Sequence, residues 1–301
     1  MKYTQDHLEE VSKEFHNILF ARPEGETGRE FLVNRNIGSL ENLSQYEIGY
    51  CPYNFPYPSS QTLWVDNRLW WMRGRLIVTI RGQHNRIISF AGRMIEKNKE
   101  LLYNDLLTQI DNPILFHLKG DINKLKELVD DWSSRKWINE VYSKKDYLFG
   151  LNVAKKHIFN MGYAIIVEGY MDAISLWMNG FPNTVAVCGV AMSEMHLSLL
   201  KRYTNYFIYC LDGDNSGEKA MVKITDLINK KYDEYLGYYI IYLPKVEEKW
   251  LDPEDALIHT EYKDLFINAL IKASQREDVK IKTRFLDLSD NITKQILKKE
   301  K

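Results

Sequence analysis

The chain has 301 residues, 45% of them apolar and 27% charged, so it can bury a substantial core and is excluded from the globally disordered class. A formal net charge of -1 removes any overall pull toward nucleic acid, so such affinity must come from uneven distribution of charge. Cys51, Cys188 and Cys210 lack the paired spacing of a disulfide framework or a zinc ribbon, and no apolar run approaches about 18 residues, so a cytoplasmic protein without a membrane partner is expected.

From Gln5 to Phe20, Leu8, Val11, Phe15, Ile18 and Leu19 recur at three- and four-residue steps, the period of an amphipathic helix. Pro23-Glu24-Gly25 ends it, and helices over Gly28 to Asn36 and Leu40 to Tyr46 would make the first fifty residues a small helical layer. Pro52, Pro56 and Pro58 then break regular structure. Between Leu69 and Ile95 the period becomes two: Leu76, Val78 and Ile80 alternate with Arg75, Ile77, Thr79 and Arg81. Gly82-Gln83-His84-Asn85 reads as a turn and Arg86 to Phe90 as the return strand.

The segment Asn67 to Ile95 holds six arginines and no acidic residue. Strand geometry puts Arg75, Thr79 and Arg81 on one face, a stripe suited to phosphates if Leu76, Val78 and Ile80 pack inward; a merely solvated charged face fits the same pattern. Asp111 to Lys145 reads as mostly helical and peripheral.

From Tyr163 onward strand alternates with helix. Ala164 to Val167, Thr184 to Val187, Tyr206 to Leu211 and Tyr238 to Leu243 read as strands, separated by helices over Met171 to Asn179, Glu194 to Tyr203 and Glu218 to Lys231. This order predicts an α/β fold with an open, mainly parallel sheet flanked by helices. A mixed α+β subdomain (1–150) precedes that sheet domain (151–260), and a helical tail (261–301) follows it.

Two of these strands stop abruptly at acids and glycine: Glu168-Gly169 after the first, Asp212-Gly213-Asp214 after the third. Parallel sheets present functional groups at the carboxyl ends of their strands, and carboxylates gathered there repel unless a hard divalent cation sits among them. Glu168 alone also fits a helix N-terminal acid, and Asp214 with Ser216 fits the cap of the next helix. Asp212 and Asp214 flanking a glycine nevertheless favour a metal. In Asp252-Pro253-Glu254-Asp255, helix cap and metal ligand weigh equally.

Glu168-Gly169-Tyr170-Met171-Asp172, Asp212-Gly213-Asp214 with Gly217, and Asp252-Pro253-Glu254-Asp255 together resemble the Toprim domain of bacterial and phage DnaG-type DNA primases. Arg73 to Arg81 with Arg86 to Arg93 is similar to the strand pair upstream of Toprim in those enzymes, and Leu148-Phe149-Gly150-Leu151 to their connecting segment. The resemblance implies a catalytic core that makes short RNA primers from ribonucleoside triphosphates on single-stranded DNA, using magnesium or manganese. A Toprim nuclease and a non-catalytic nucleic-acid-binding subunit are the alternatives.

On that resemblance the metal ligands are Glu168, Asp212 and Asp214, which also carry catalysis, with Asp252 and Glu254 in a supporting acidic shell. Gly169, Asp172, Gly217 and Asp255 support them, Asp172 orienting Glu168 or a water from one helical turn away. Arg75, Arg81, Arg93, Lys144 and Lys145 would contact template or triphosphate. The family's zinc-binding and helicase-binding domains have no counterpart here, so no zinc is expected. A helicase and a separate zinc-bearing or accessory subunit are candidate partners, in the cytoplasm of a cell or of a phage's host.

Overall fold

The computed structural model describes residues 4–35, 37–44, 46–55, 72–108, 121–189, 191–211, 219, 222–224, 226–228, 236–243, 245–246, 249–275 and 284–287. They divide into two units, Met1–Ile80 with Arg86–Tyr142, and Arg81–Asn85 with Ser143–Lys301. The division falls slightly before the expected boundary at 150. No helix among the described residues is long and apolar enough to cross a membrane.

The first unit opens with α1 (Gln5–Ala21), capped by the Thr4 side chain, which accepts from the His7 N–H at 3.2 Å. Its stripe Leu8, Val11, Phe15, Ile18 and Leu19 is buried, as the periodicity requires. It lies on a four-stranded sheet, β1 (Ile48–Cys51), β2 (Arg75–Arg81), β3 (Ile87–Met94) and β4 (Trp137–Asn139), in that order. A Cβ at Gly49 would sit 2.5 Å from the Phe15 Cβ, so helix and strand approach this closely only over glycine. The helices α2 (Glu26–Asn34) and α3 (Leu40–Leu43) match two expected ones, but β1 corrects the purely helical first layer.

Two further corrections fall here. All seven residues of β2 are buried, so the anticipated inner and outer faces are both covered. The stretch read as peripheral helix supplies α5 (Ile122–Ser134) and also β4, which pairs antiparallel with β3. Helix α4 (Asn98–Thr108) packs on α5 through Leu102, Leu106, Leu125 and Val129. Residues 109–120 and 56–71, including Pro56, Pro58 and Arg68, lie outside the described residues.

The second unit is built on a parallel sheet: β5 (Ala164–Val167), β6 (Thr184–Ala186), β7 (Tyr206–Leu211), β8 (Gly237–Tyr242) and β11 (Arg284–Asp287), in the order β11-β8-β7-β5-β6. Helices α6 (Leu151–Met161), α7 (Tyr170–Met178) and α8 (Glu194–Leu200) connect to it, and residues 219, 222–224 and 226–228 are helical as expected. The near-continuous apolar runs of β5 and β7 are explained by burial on both faces: Ala164, Ile166, Phe207 and Tyr209 share one core with Ala154, Ile158, Leu197 and Leu200, and Ile165, Val167, Ile208 and Cys210, pointing the other way, are buried too.

The segment after Pro253 starts as expected with α9 (Pro253–Ile258) and α10 (Thr260–Ser274). It does not remain helical: β11 adds to the sheet edge, parallel to β8. A short antiparallel pair, β9 (Lys245–Val246) and β10 (Lys249–Trp250), precedes α9.

Candidate active site at the carboxyl ends of the parallel strands

Strand β5 is flanked by β6 on one side and β7 on the other, although β6 lies between them in sequence. The connections therefore leave β5 and β7 in opposite directions, which opens a crevice above their carboxyl ends, the usual ligand position in open α/β sheets. Into that place β5 delivers Glu168 and Gly169 before α7 begins at Tyr170. Glu168 is half-buried. Pairing of Ile166 with Tyr209 sets the two strand ends level, and β7 runs to Leu211. The next residues in the chain, Asp212, Asp214 and Gly217 among them, lie outside the described residues.

The turn carrying Glu168 is held by Asp172, a buried residue in the first turn of α7. Its Oδ2 accepts the Gly169 N–H at 2.9 Å and its Oδ1 accepts the Glu254 N–H at 3.3 Å. Two helix starts, α7 and α9, thus aim N–H groups at one carboxylate, which their dipoles stabilise. A Cβ at Gly169 would stand 2.6 Å from Asp172 Oδ2, so the clamp needs glycine there. On the other side, the Val187 N–H donates to Val167 O at 3.1 Å and the Gly189 N–H to Glu168 O at 3.3 Å.

Asp172→Ala is expected to lower stability by about 2–4 kcal/mol, because two N–H groups lose an ionised acceptor in a buried place. Chemical denaturation measures it; an unchanged midpoint would remove Asp172 from this role.

Asp252 caps α9: its Oδ1 accepts the Asp255 N–H at 2.7 Å, with Pro253 in the first turn. The cap, which had weighed equally with metal binding, is thus present in the geometry. Glu254 is 2% exposed and Asp255 is half-buried. Among the described residues no three carboxylates, histidines or cysteines are arranged to hold a metal ion. Cys188 and Cys210 are buried; burial, the larger cause, and the Asp172 charge push both thiols up, Cys188 to about 12.

The arginine stripe is not an exposed one. Arg75 is fully buried and donates from Nη1 to Gly92 O at 3.2 Å and Arg135 O at 3.0 Å, and from Nη2 to Trp132 O at 2.6 Å. Its expected phosphate contact is therefore corrected to a structural one. The reason is that α1 lies over this face of β2, with Ile77 packed against Leu8, Val11 and Phe15, and the carboxyl end of α5 reaches Arg75, a covering that strand periodicity cannot reveal. Thr79 on the stripe bonds to Ser12 of α1 at 2.7 Å. Arg81 is buried and donates to Asn85 O at 2.6 Å, while Arg93 is buried between the rings of Phe31 and Trp137, 5.5 and 5.7 Å from their centroids.

Lys144 and Lys145 lie in a short 3-10 turn, Lys144–Asp146. Lys145 is exposed; Lys144 is half-buried, its Nζ donating to Cys188 O at 3.0 Å just beyond β6. Sequence reasoning missed Ser193 and His196, which grip this turn from α8. The spacing Ser193-Glu194-Met195-His196 carried the signal, an N-cap serine with a hydrogen-bonding residue three positions on.

A family model described as Toprim-like matches residues 165–257, the span from β5 to α9. The chain is 26% identical over 282 residues to a DNA primase of Legionella pneumophila, covering 89% of this chain and 42% of that protein. It is 31% identical over 203 residues to a DNA primase of Pseudomonas putida, covering 67% and 25%, and 31% identical over 219 residues to that of Aquifex aeolicus, covering 70% and 36%. The chain thus spans less than half the length of these relatives. Among solved structures, a DnaG primase catalytic domain bound to single-stranded DNA superposes with a TM-score of 0.63 at 22% identity, over 89% of this chain and 78% of that one. The zinc-binding and RNA polymerase domains of Aquifex aeolicus primase give 0.61 at 23% identity, over 90% and 62%.

Proposed function

On the premise that this chain carries a Toprim-like segment within the catalytic-core fold of DnaG-type DNA primases, we propose that it joins ribonucleoside triphosphates into short RNA primers on single-stranded DNA. The observation that carries the proposal is the crevice between β5 and β7, where Glu168 stands on a turn clamped by Asp172. Chain direction brings Asp212 and Asp214 next after the end of β7.

The donor set suits a hard cation. Glu168, Asp212 and Asp214 offer oxygen, and the raised thiols of Cys188 and Cys210 stay protonated and do not compete as soft ligands. Magnesium or manganese bound there supplies charge neutralisation for the triphosphate in the transition state. Glu168 with the two aspartates holds the ion, and Glu254 and the capping Asp252 enclose the acidic side. Asp172 keeps the Glu168 turn fixed, and Lys144, with Lys145 beside it, presents positive charge to the triphosphate. Arg93 of the first unit and Arg81 of the second remain the template-contact candidates. Single-stranded DNA and ribonucleoside triphosphates are the partners of this reading, and a helicase and a zinc-bearing or accessory subunit would be further ones.

Purified protein incubated with single-stranded templates, labelled ribonucleotides and magnesium or manganese is expected to yield template-dependent oligoribonucleotides. Shortened template would replace the reading with a nuclease, and DNA binding without synthesis or cleavage with an accessory subunit. The nuclease has only the shared acids in its favour.

A further inference from the structure

His196 is fully buried at the third position of α8, yet neither nitrogen is idle. The Ser193 Oγ accepts the His196 N–H at 3.0 Å, and His196 Nδ1 lies 3.3 Å from the Ser193 N–H, closing a capping box. On the far side of the ring, Nε2 lies 2.8 Å from Lys144 O, and Ser193 Oγ donates to Lys145 O at 2.6 Å. A carbonyl can only accept and a main-chain N–H can only donate, so one neutral tautomer, protonated on Nε2, satisfies both ends.

The grip extends to the site. Lys144 Nζ reaches Cys188 O, Cys188 has a left-handed backbone with φ of 57°, and the adjoining Gly189 N–H donates to Glu168 O. A continuous line of main-chain and side-chain hydrogen bonds therefore runs from the imidazole, through the lysine, to the residue at the end of β5.

We propose that His196 is a positioning residue for Lys144: the neutral imidazole fixes the lysine's main chain so that its ammonium stands beside the carboxyl ends of β5 and β6, toward the triphosphate of the incoming ribonucleotide. This rests on the nucleotidyl-transfer reading above. Protonating Nδ1 would set two donors against each other in the capping box and release the turn. Burial, the largest influence, holds the imidazole below its ordinary value; the Lys144 and Tyr147 carbonyls and the Asp146 carboxylate oppose this. The other charged groups nearby are Lys144 itself, Lys145 on the same turn and Glu194 on the helix. The neutral form is therefore favoured in the fold, and its contribution is present above the unfolded histidine pKa and lost as pH falls through the folded one.

The test measures the affinity of magnesium-GTP and its KM in primer synthesis for the full chain and for Lys144→Ala, His196→Phe, their combination, and His196→Gln. Lys144→Ala and His196→Phe are each expected to weaken GTP about tenfold, with the double variant no worse than Lys144→Ala alone. His196→Gln, whose amide offers both donor and acceptor, recovers most of the affinity. Wild type loses affinity as pH falls below the ordinary histidine value of about 6.5, whereas His196→Gln does not. Additive losses in the double variant, or parallel pH profiles for wild type and His196→Gln, would overturn the proposal. The second comparison decides even if His196→Phe does not fold. Wild type that binds GTP without making primers refutes the primase reading and leaves this cycle to be judged on affinity. Wild type that does not bind GTP refutes the positioning role.

Discussion

Glu168→Gln is expected to slow primer synthesis about a thousandfold while leaving the fold intact. The residue is half-buried at the end of β5, and two bonds that hold its turn do not use its side chain: Gly169 N–H to Asp172 Oδ2 and Gly189 N–H to Glu168 O. An amide of the same shape keeps those bonds, so the unfolding temperature should move by no more than about 2 °C. What it removes is a negative charge where a triphosphate and its cation must be held together. A neutral carbonyl oxygen is a weaker ligand for a hard cation, and the lost charge acts in a crevice walled by the buried strands β5 and β7. Initial rates of labelled ribonucleotide incorporation at saturating template, with magnesium varied, provide the measurement. A normal rate with normal magnesium dependence would remove Glu168 from the metal site and leave Asp212 and Asp214 to account for it alone.

The parts of the fold legible in the sequence are those whose pattern is enforced locally. β5 and β7 are apolar runs stopped by acids and glycine, and α1 keeps its helical stripe; both patterns follow from burial on known faces. The parts that escaped owe their structure to a partner. Ile48–Cys51 becomes a strand because β2 pairs with it and α1 packs over Gly49; four residues with a glycine carry little strand signal alone. Trp137–Asn139 and Arg284–Asp287 are short edge additions whose pairing, with β3 and β8, lies far away in sequence. The site divides the same way. The Glu168 turn followed from chain order, whereas its clamp needed Glu254, brought to Asp172 from a distant helix.

Arg75→Met is expected to lower stability by about 3 kcal/mol. Two of the three carbonyls that this guanidinium binds, Trp132 O and Arg135 O, belong to the last turn and cap of α5, where a helix leaves acceptors without intrahelical donors. Arg75 thus caps α5 from a neighbouring strand, and its charge complements the negative end of the helix dipole. Holding a cation there has a cost, since burial and the Arg135 charge lower its pKa to about 10. An apolar replacement recovers part of that cost, but it takes the donor from one buried carbonyl and two partly buried ones, the buried one alone at about 1–3 kcal/mol, so the loss exceeds the gain. Lysine should not rescue it, because one ammonium cannot span carbonyls on a strand and a helix end as the planar fork does. Denaturant midpoints measure the loss. Single-stranded DNA affinity at two salt concentrations, taken where the variant is still folded, separates this role from the phosphate contact suggested by the strand pattern. A structural Arg75 leaves the salt slope unchanged, whereas a phosphate contact would reduce the slope by about one and leave stability near wild type.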